Sequence, residues 1–213
     1  QSSAASDVYK RQANAQRVQV FIREKGIEIP TEQLNVREGK QFLEPFTSMN
    51  PFHCVPFLEL DDGTVISESI SICRYLEEIY PNPALFGTTA ETRAIIDMWL
   101  RRFELDGFLP MLHAVRNHLE NFKGRVIPGT RTDLPQVPQM VTRGIEMGKM
   151  FLERVEPHMA ENEFVAGSRF SVADITAIFT IKLTTPLKID INASYPGVAA
   201  WMDRMSKREA FNI

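Results

Sequence analysis

Apolar residues follow two different periods in the stretch from Asn50 to Tyr80. Phe57 to Leu60 and Thr64 to Ile66 are short runs rich in aliphatic, aromatic and β-branched residues, and Asp61-Asp62-Gly63 joins them. Glycine supplies the positive φ that a tight hairpin turn needs, so the pattern predicts two antiparallel strands. From Ser69 the apolar residues recur every three or four positions, which predicts a helix almost directly after the second strand. Its apolar positions are Ile72, Cys73, Leu76, Ile79 and Tyr80.

The residues before the hairpin carry another helical pattern. It begins near Asn14 and ends at Gly26, a residue type that commonly terminates helices. The apolar face of this helix carries Val18, Phe21 and Ile22. Ile27 to Leu34 is predicted to be extended and to lie at a sheet edge, because Pro30 has no N–H to donate. Arg37 to Met49 predicts a shorter, partly helical segment.

Beyond residue 80 the patterns become entirely helical. Pro81 to Gly87 contains two prolines and is predicted to be a linker between domains. Thr88 to Glu91 has the form of a capping box and opens a long helical stretch that runs to Phe122. Gly107 and Pro110 are expected to bend this stretch.

Two further helices follow in the second half of the chain. Gly144 and Gly148 lie one helical turn apart, which predicts close packing against a neighbouring helix. Ser171 and Asp174 match a capping box that precedes an almost entirely apolar helix. We therefore expect this helix to be buried and Asp174 to be structural rather than catalytic.

Composition narrows the class of protein. The chain has 213 residues, a formal net charge of −3, 44% hydrophobic residues and 24% charged residues, which suffices for two small domains or one large one. The pattern shows no basic excess, which would indicate binding to nucleic acid or to an anionic membrane. It also shows no run of about 18 apolar residues and no signal peptide, which would indicate membrane insertion or secretion. The two cysteines and four histidines lack metal-ligand spacing, so we expect no metal and a reducing, cytoplasmic location.

The predicted junction between the second strand and its helix offers binding chemistry. A helix N-terminus presents unpaired N–H groups and the positive end of its dipole. There Ser69 is predicted to bond a ligand carboxylate while Glu68 pairs with an ammonium group, which together would recognise an amino-acid zwitterion. Val55 precedes Pro56 at the strand entry, so its backbone is available to an extended peptide, especially if that bond is cis. The alternative is a hairpin and capped helix without a ligand.

These elements occur together in a known family. The order of Val55-Pro56, Asp62-Gly63, Glu68-Ser69 and Cys73 to Glu77 resembles the glutathione-site half of cytosolic glutathione transferases. Residues 164–176 resemble the helical-domain core motif of that family, and the most similar members are bacterial proteins that group with a yeast glutathione transferase. The resemblance implies an α/β thioredoxin-like domain followed by an all-α domain, glutathione as co-substrate, a homodimer and conjugation of small hydrophobic electrophiles in detoxification.

The first dozen residues do not fit this organisation. Residues 1–12 look like translated sequencing-adapter sequence, and we expect them to be foreign to the fold. The inner first strand of a thioredoxin-like domain would have to come from about Ser6 to Tyr9, which contains few strand-forming residues. The predicted domains are therefore residues 13–80 and 88–213, with residues 81–87 between them.

The group that lowers the pKa of the glutathione thiol is not evident from the pattern. In the family it is usually a Ser, Tyr or Cys near the start of the first helix, where this chain has Gln12 and Ala13. Asn14 is one candidate, as an amide donor to sulfur, although Asn at such a place is also a common helix cap. A water held by His113 or His118 is another, the alternative being that these histidines are simply exposed.

The resemblance also implies which residues bind glutathione and which contact the electrophile. Glutathione-binding positions are His53, Cys54, Val55, Pro56, Glu68 and Ser69, with His53 replacing the family's Lys, Arg or Gln at the glycine end. The wall of the electrophile site is expected to carry Phe108, Met111, Leu112 and Val115, a stripe that is equally typical of a helical core.

Two alternatives to a transferase remain open at this point. The first is a non-catalytic binding or interaction module of the same fold, favoured by the missing thiol-activating hydroxyl. The second is a glutathione-dependent reductase, which needs a nucleophilic cysteine, with Cys54 as the candidate.

Overall fold

The computed structural model describes residues 12–131 and 134–212, which divide into two compact units. Residues 12–83 and 127–131 form the first unit, and residues 84–126 and 134–212 form the second. In the first unit the elements are α1 (Ala13–Lys25), a 3-10 turn (Lys40–Phe42), α2 (Phe46–Met49), β1 (Phe57–Glu59), β2 (Val65–Ser67) and α3 (Ser69–Ile79). In the second they are α4 (Ala90–Arg102), a π-helical turn (Phe103–Phe108), α5 (Leu109–His118), a 3-10 turn (Glu120–Phe122), α6 (Pro138–Glu161), α7 (Val172–Lys182), α8 (Ile191–Ser194), α9 (Pro196–Ser206) and a last 3-10 turn (Glu209–Phe211).

The predicted hairpin forms, one residue out of step with the sequence pattern. β1 pairs antiparallel with β2 in the register Phe57↔Ser67, Leu58↔Ile66 and Glu59↔Val65. Gly63 occupies the turn at φ 82°, as its residue type predicted. Residues 27–35 have no regular secondary structure, and a strand there would need a neighbour to pair with. The proposed neighbour at residues 6–9, like most of the segment expected to be foreign, lies outside the described residues.

Helix α1 ends as predicted, but its last residue, Lys25, interacts with the C-terminal end of α3. Gly26 adopts φ 63° and its N–H donates to the carbonyls of Ile22 and Arg23. The fully buried Lys25 ammonium donates to the carbonyl oxygens of Tyr80 (2.7 Å) and Pro83 (2.6 Å) and pairs with Glu77. A cation is favourable beside the exposed carbonyls of a helix C-terminus, so Lys25 fixes the end of α3 against α1.

The apolar face of α3 differs from its sequence pattern. Ile72, Cys73 and Leu76 are buried as expected, whereas Ile79 and Tyr80 are 53% and 40% exposed. Glu77 takes the next inward position because Lys25 pairs with it there. The expectation that Ile79 and Tyr80 continue the buried face was therefore wrong.

The start of α4 is displaced by one residue from the predicted capping box. Thr89 is the N-cap: its Oγ1 accepts from Thr92 N–H at 3.1 Å, and Thr92 Oγ1 accepts from Thr89 N–H at 3.0 Å. A threonine hydroxyl here takes the place of the expected Glu91 carboxylate. At the predicted bend, the π-helical turn ends at Gly107 and Phe108, and a Cβ atom at Gly107 would lie 2.8 Å from Thr180 Cγ2.

Close packing of α5 against α6 confirms the prediction from the paired glycines. A Cβ atom at Gly144 would lie 2.7 Å from Ala114 Cβ, and one at Gly148 would lie 2.8 Å from Met111 Cγ. Both distances are shorter than carbon atoms tolerate, so only glycine permits this approach of the two helices.

Helix α7 is the buried centre of the second unit. Every residue from Val172 to Ile181 is buried. Asp174 completes the predicted capping box, accepting from Ser171 N–H at 2.8 Å, Ser171 Oγ at 3.0 Å and Val165 N–H at 2.7 Å. Burial raises the pKa of Asp174 to about 6, although these three hydrogen bonds favour the ionised form and oppose the increase.

We expect Lys25→Met to lower the free energy of unfolding by about 3–5 kcal/mol, because it removes the cation of a largely buried ion pair with Glu77. Urea unfolding followed by circular dichroism measures this. The matched control is Lys207→Met, since Lys207 pairs with Asp203 on the surface at 2.7 Å. Its expected cost is below about 1 kcal/mol. Equal effects of the two substitutions would contradict the role assigned to Lys25.

Asp174 predicts a dependence of stability on pH. Its pKa is about 6 in the folded protein against an ordinary 3.8, so the folded state binds the proton more tightly. The contribution of Asp174 to the free energy of unfolding is therefore greatest below pH 3.8 and is lost as the pH rises to 6. The unfolding free energy of wild type minus that of Asp174→Asn should fall by about 3 kcal/mol over this interval. A constant difference between the two proteins would refute the assignment.

Candidate functional site

The register of the hairpin brings two segments of the predicted site together. Because Phe57 pairs with Ser67, the residues after Ser67 continue alongside those before Phe57. Glu68 and Ser69 thus lie beside Val55 and Pro56 at one end of the two-stranded ladder. The turn at the opposite end is held by Thr64 N–H, which donates to Asp62 Oδ1 at 2.9 Å.

Glu68 has an unusual backbone conformation. It is the N-cap of α3 at φ 71° and ψ 122°, and its side chain is exposed. A non-glycine residue at such a φ costs about 1–3 kcal/mol and persists where the surrounding structure imposes it. Here the cause is the direct passage from β2 to α3, with a single residue between Ser67 and Ser69.

Ser69 begins α3 and is hydrogen-bonded to a buried arginine of α1. Its hydroxyl oxygen accepts a hydrogen bond from Arg17 Nη1 at 3.3 Å, and the two residues are 5% and 1% exposed. The guanidinium and the helix dipole both place positive potential at this end of α3. The junction is consequently suited to an anionic group of a ligand.

Arg17 is a site residue that the sequence analysis missed. It lies one helical turn before Phe21 on α1 and is buried with it, so both side chains face α3. A basic residue in register with an apolar face was the available signal. The same guanidinium lowers the pKa of the Cys73 thiol, but burial is the larger effect and raises that pKa to about 12.

The peptide edge begins at a turn built by an asparagine. The buried Asn50 donates from Nδ2 to the Cys54 carbonyl at 2.8 Å and accepts from Phe52 N–H at 3.3 Å through Oδ1. His53 has a φ of 53°, and its ring lies 4.9 Å from that of Phe42. The Val55–Pro56 bond is cis, and Val55 is half-buried just before the ladder begins.

The predicted thiol-activating residues occupy different surroundings. Gln12, with no side-chain capping bond, is the N-cap of α1, so Asn14 is not the cap and lies in the first turn. His113 is half-buried and His118 exposed, and both belong to α5. Their catalytic roles stay predictions.

The residues predicted for the electrophile wall are largely core residues of the second unit. Phe108, Met111 and Val115 are 5%, 0% and 2% exposed, and Leu112 is half-buried. Met111 packs where Gly148 leaves room for it. This burial is what the core interpretation of the stripe expects, and a role in binding an electrophile stays a prediction.

Two negative findings apply to the described part of the chain. None of its helices is long and apolar enough to cross a membrane. Nor does it contain a group of three His, Cys, Asp or Glu side chains arranged to hold a metal ion.

The chain is similar to glutathione S-transferases in both halves of its sequence. The family model for the N-terminal domain of glutathione S-transferases matches residues 13–79, and that for the C-terminal domain matches residues 145–209. A glutathione S-transferase domain-containing protein of Marinobacter aquaeolei is 30% identical, with 94% of this chain and 96% of that one covered and a TM-score of 0.83. A class Gtt2 glutathione S-transferase of Vibrio parahaemolyticus is 34% identical, covering 94% and 91%, with a TM-score of 0.79. Glutathione S-transferase 2 of Saccharomyces cerevisiae is 27% identical over 90% of this chain and 81% of its own length.

The chain therefore has a thioredoxin-like N-terminal domain followed by a helical domain, and it belongs to the glutathione S-transferase family. The resemblance stated from its motifs is confirmed, including the likeness to the yeast and bacterial proteins.

The two cysteines are expected to differ in reactivity. Cys54 is half-buried, whereas Cys73 is fully buried with a pKa of about 12, so it holds almost no thiolate at neutral pH. A disulfide reagent that releases a coloured thiolate should label the native protein at Cys54 alone. Cys54→Ser should then show no labelling until urea is added. Native labelling of Cys54→Ser at the wild-type rate would contradict the burial of Cys73.

Proposed function

We propose that this protein is a glutathione transferase that conjugates glutathione to small hydrophobic electrophiles, as a cytoplasmic homodimer acting in detoxification. The observation that carries the proposal is the junction before α3, where Glu68, Ser69 and Arg17 meet beside the Val55 edge. Family membership supports the use of glutathione.

The γ-glutamyl end of glutathione carries an ammonium and a carboxylate on one carbon. Ser69 and the first N–H groups of α3 are donors suited to the carboxylate, and Arg17 adds positive charge behind them. Glu68 is an exposed carboxylate one residue earlier and is suited to the ammonium. The two charges of the zwitterion thus match two charges of opposite sign at one helix end.

The rest of the tripeptide is proposed to lie extended along residues 53–56. Val55 precedes the ladder, so its N–H and carbonyl are positioned to pair with the cysteinyl residue of glutathione. His53 and Cys54 follow toward the glycine end, and Pro56 shapes the edge. This arrangement would give the sulfur a fixed position relative to the start of α1.

Conjugation requires the thiol to lose its proton, since the thiolate is the nucleophile. Sulfur then donates an electron pair to the electrophilic carbon, and the leaving group departs with the electrons of the broken bond. A free thiol has a pKa of about 8.5, so the protein must stabilise the anion. We propose that Asn14 and the first-turn N–H groups of α1 do so, with a water held by His113 or His118 as the alternative proton acceptor.

The electrophile is proposed to contact the apolar residues of α5 and the turn before it. Among Phe108, Met111, Leu112 and Val115, the half-buried Leu112 has the most accessible side chain for this role. The three buried residues would shape the wall from behind.

Calorimetric titration of glutathione tests the zwitterion site. Glu68→Gln and Ser69→Ala should each weaken binding by about tenfold or more, because each removes a charge-assisted contact. The control is Glu91→Gln, which removes the same charge from the exposed first turn of α4 and should bind like wild type.

Two outcomes would count against the proposal. If folded wild-type protein binds no glutathione, the site assignment fails. If it binds glutathione but does not conjugate it to a nitro-activated aryl chloride, followed by absorbance, the transferase activity fails and a binding module remains.

A further inference from the structure

A loop from the second half of the sequence belongs to the first unit. Residues 127–131, hereafter the 127–131 loop, pack on the turn that leads into Val55. Gly129 adopts φ 70°, and a Cβ atom there would contact the Phe52 carbonyl oxygen and lie 2.8 Å from Cys54 Sγ. The loop is closed on itself by Thr130 Oγ1, which donates to the Ile127 carbonyl at 3.0 Å. Glycine is thus required for the loop to approach the peptide edge.

The loop brings a cation to this edge. The Arg131 guanidinium lies 5.0 Å from the centroid of the Phe42 ring, whose other neighbour is His53 at 4.9 Å. Gly39 makes room for it, since a Cβ atom at that position would lie 2.7 Å from Arg131 Cζ. Arg131 is exposed, and it forms no ion pair with any residue that the structure describes. Phe42 therefore holds the guanidinium in place, and no described residue accepts a hydrogen bond from it.

The glycine carboxylate of glutathione is an anion that we expect to lie on the same side of the site as Arg131. With its γ-glutamyl end at Ser69 and its cysteinyl residue at Val55, the peptide continues past Cys54 and His53, in the direction opposite to β1. An extended chain covers about 3.3–3.6 Å per residue, so the glycine carboxylate falls about 7 Å or less beyond the cysteine. Cys54, directly before Val55, carries no positive charge. Arg131, held against Phe42 beside His53, places a cation on this side.

We propose that Arg131 binds the glycine carboxylate of glutathione, which makes it a specificity-determining residue supplied by a segment between α5 and α6. This inference rests on the proposed function of the same site. An arginine fork can donate two parallel hydrogen bonds to a carboxylate, which lysine cannot reproduce. The protein should therefore distinguish glutathione from the same molecule without its glycine.

The test compares glutathione with γ-glutamylcysteine, which lacks the glycine, by calorimetry on wild type and Arg131→Gln. We expect wild type to bind glutathione about tenfold or more tightly than the dipeptide, and Arg131→Gln to lose this preference. Binding of the dipeptide should be unchanged in the variant, which also shows that the variant is folded. Arg131→Lys should restore only part of the preference, since the charge returns without the fork.

The matched control is Lys123→Gln, which removes one positive charge from an exposed residue paired with Glu120. It should bind both ligands like wild type. If Arg131→Gln weakens both ligands equally, or neither, the contact to the glycine carboxylate is refuted while the glutathione site stands. If wild type binds neither ligand, the proposed function fails and this inference fails with it.

Discussion

The passage from β2 into α3 with one intervening residue is the constraint on which the proposed site depends. A strand that ends at Ser67 and a helix that begins at Ser69 leave only Glu68 to change the chain direction, which it does at φ 71°. Had a longer loop connected these elements, the N–H groups of α3 would not lie beside Val55. The strain at Glu68, about 1–3 kcal/mol, is smaller than the roughly 5–15 kcal/mol by which native proteins are stable.

Two buried cations on α1 hold the ends of α3 in different ways. Arg17 and Lys25 lie two helical turns apart, with Phe21 between them, and all three are buried. Lys25 meets the carbonyls at the C-terminus of α3, where a positive charge is favourable. Arg17 meets the N-terminus, where the dipole opposes a cation, and the proposed anionic ligand would offset this cost. One face of α1 therefore fixes α3 and places positive charge at its proposed ligand end.

The helical unit depends instead on close packing of apolar surface. Gly144 and Gly148 let α6 approach α5, and α7 is buried along almost its whole length. Asp174 is the charged exception inside this core, and its three hydrogen bonds tie the start of α7 to Val165. Burying an ionisable carboxyl is tolerated because these donors satisfy it. The residues expected to face an electrophile lie mostly within this packing, which explains why a helical stripe alone does not distinguish core from pocket.

Features that depend on neighbouring residues could be predicted from the residue pattern. The hairpin followed from Gly63 and its flanking strands, the end of α1 from Gly26, the cap of α7 from Ser171 and Asp174, and the family from motifs in fixed order. Errors of one residue, as at Thr89, arose because a hydroxyl and a carboxylate can satisfy the same N–H groups. The contacts between distant segments became visible only in the folded chain: Arg17 with Ser69, Lys25 with Glu77, and Arg131 with Phe42. Local periodicity fixes which face of a helix a side chain occupies, but what lies opposite that face is set by how the whole chain packs.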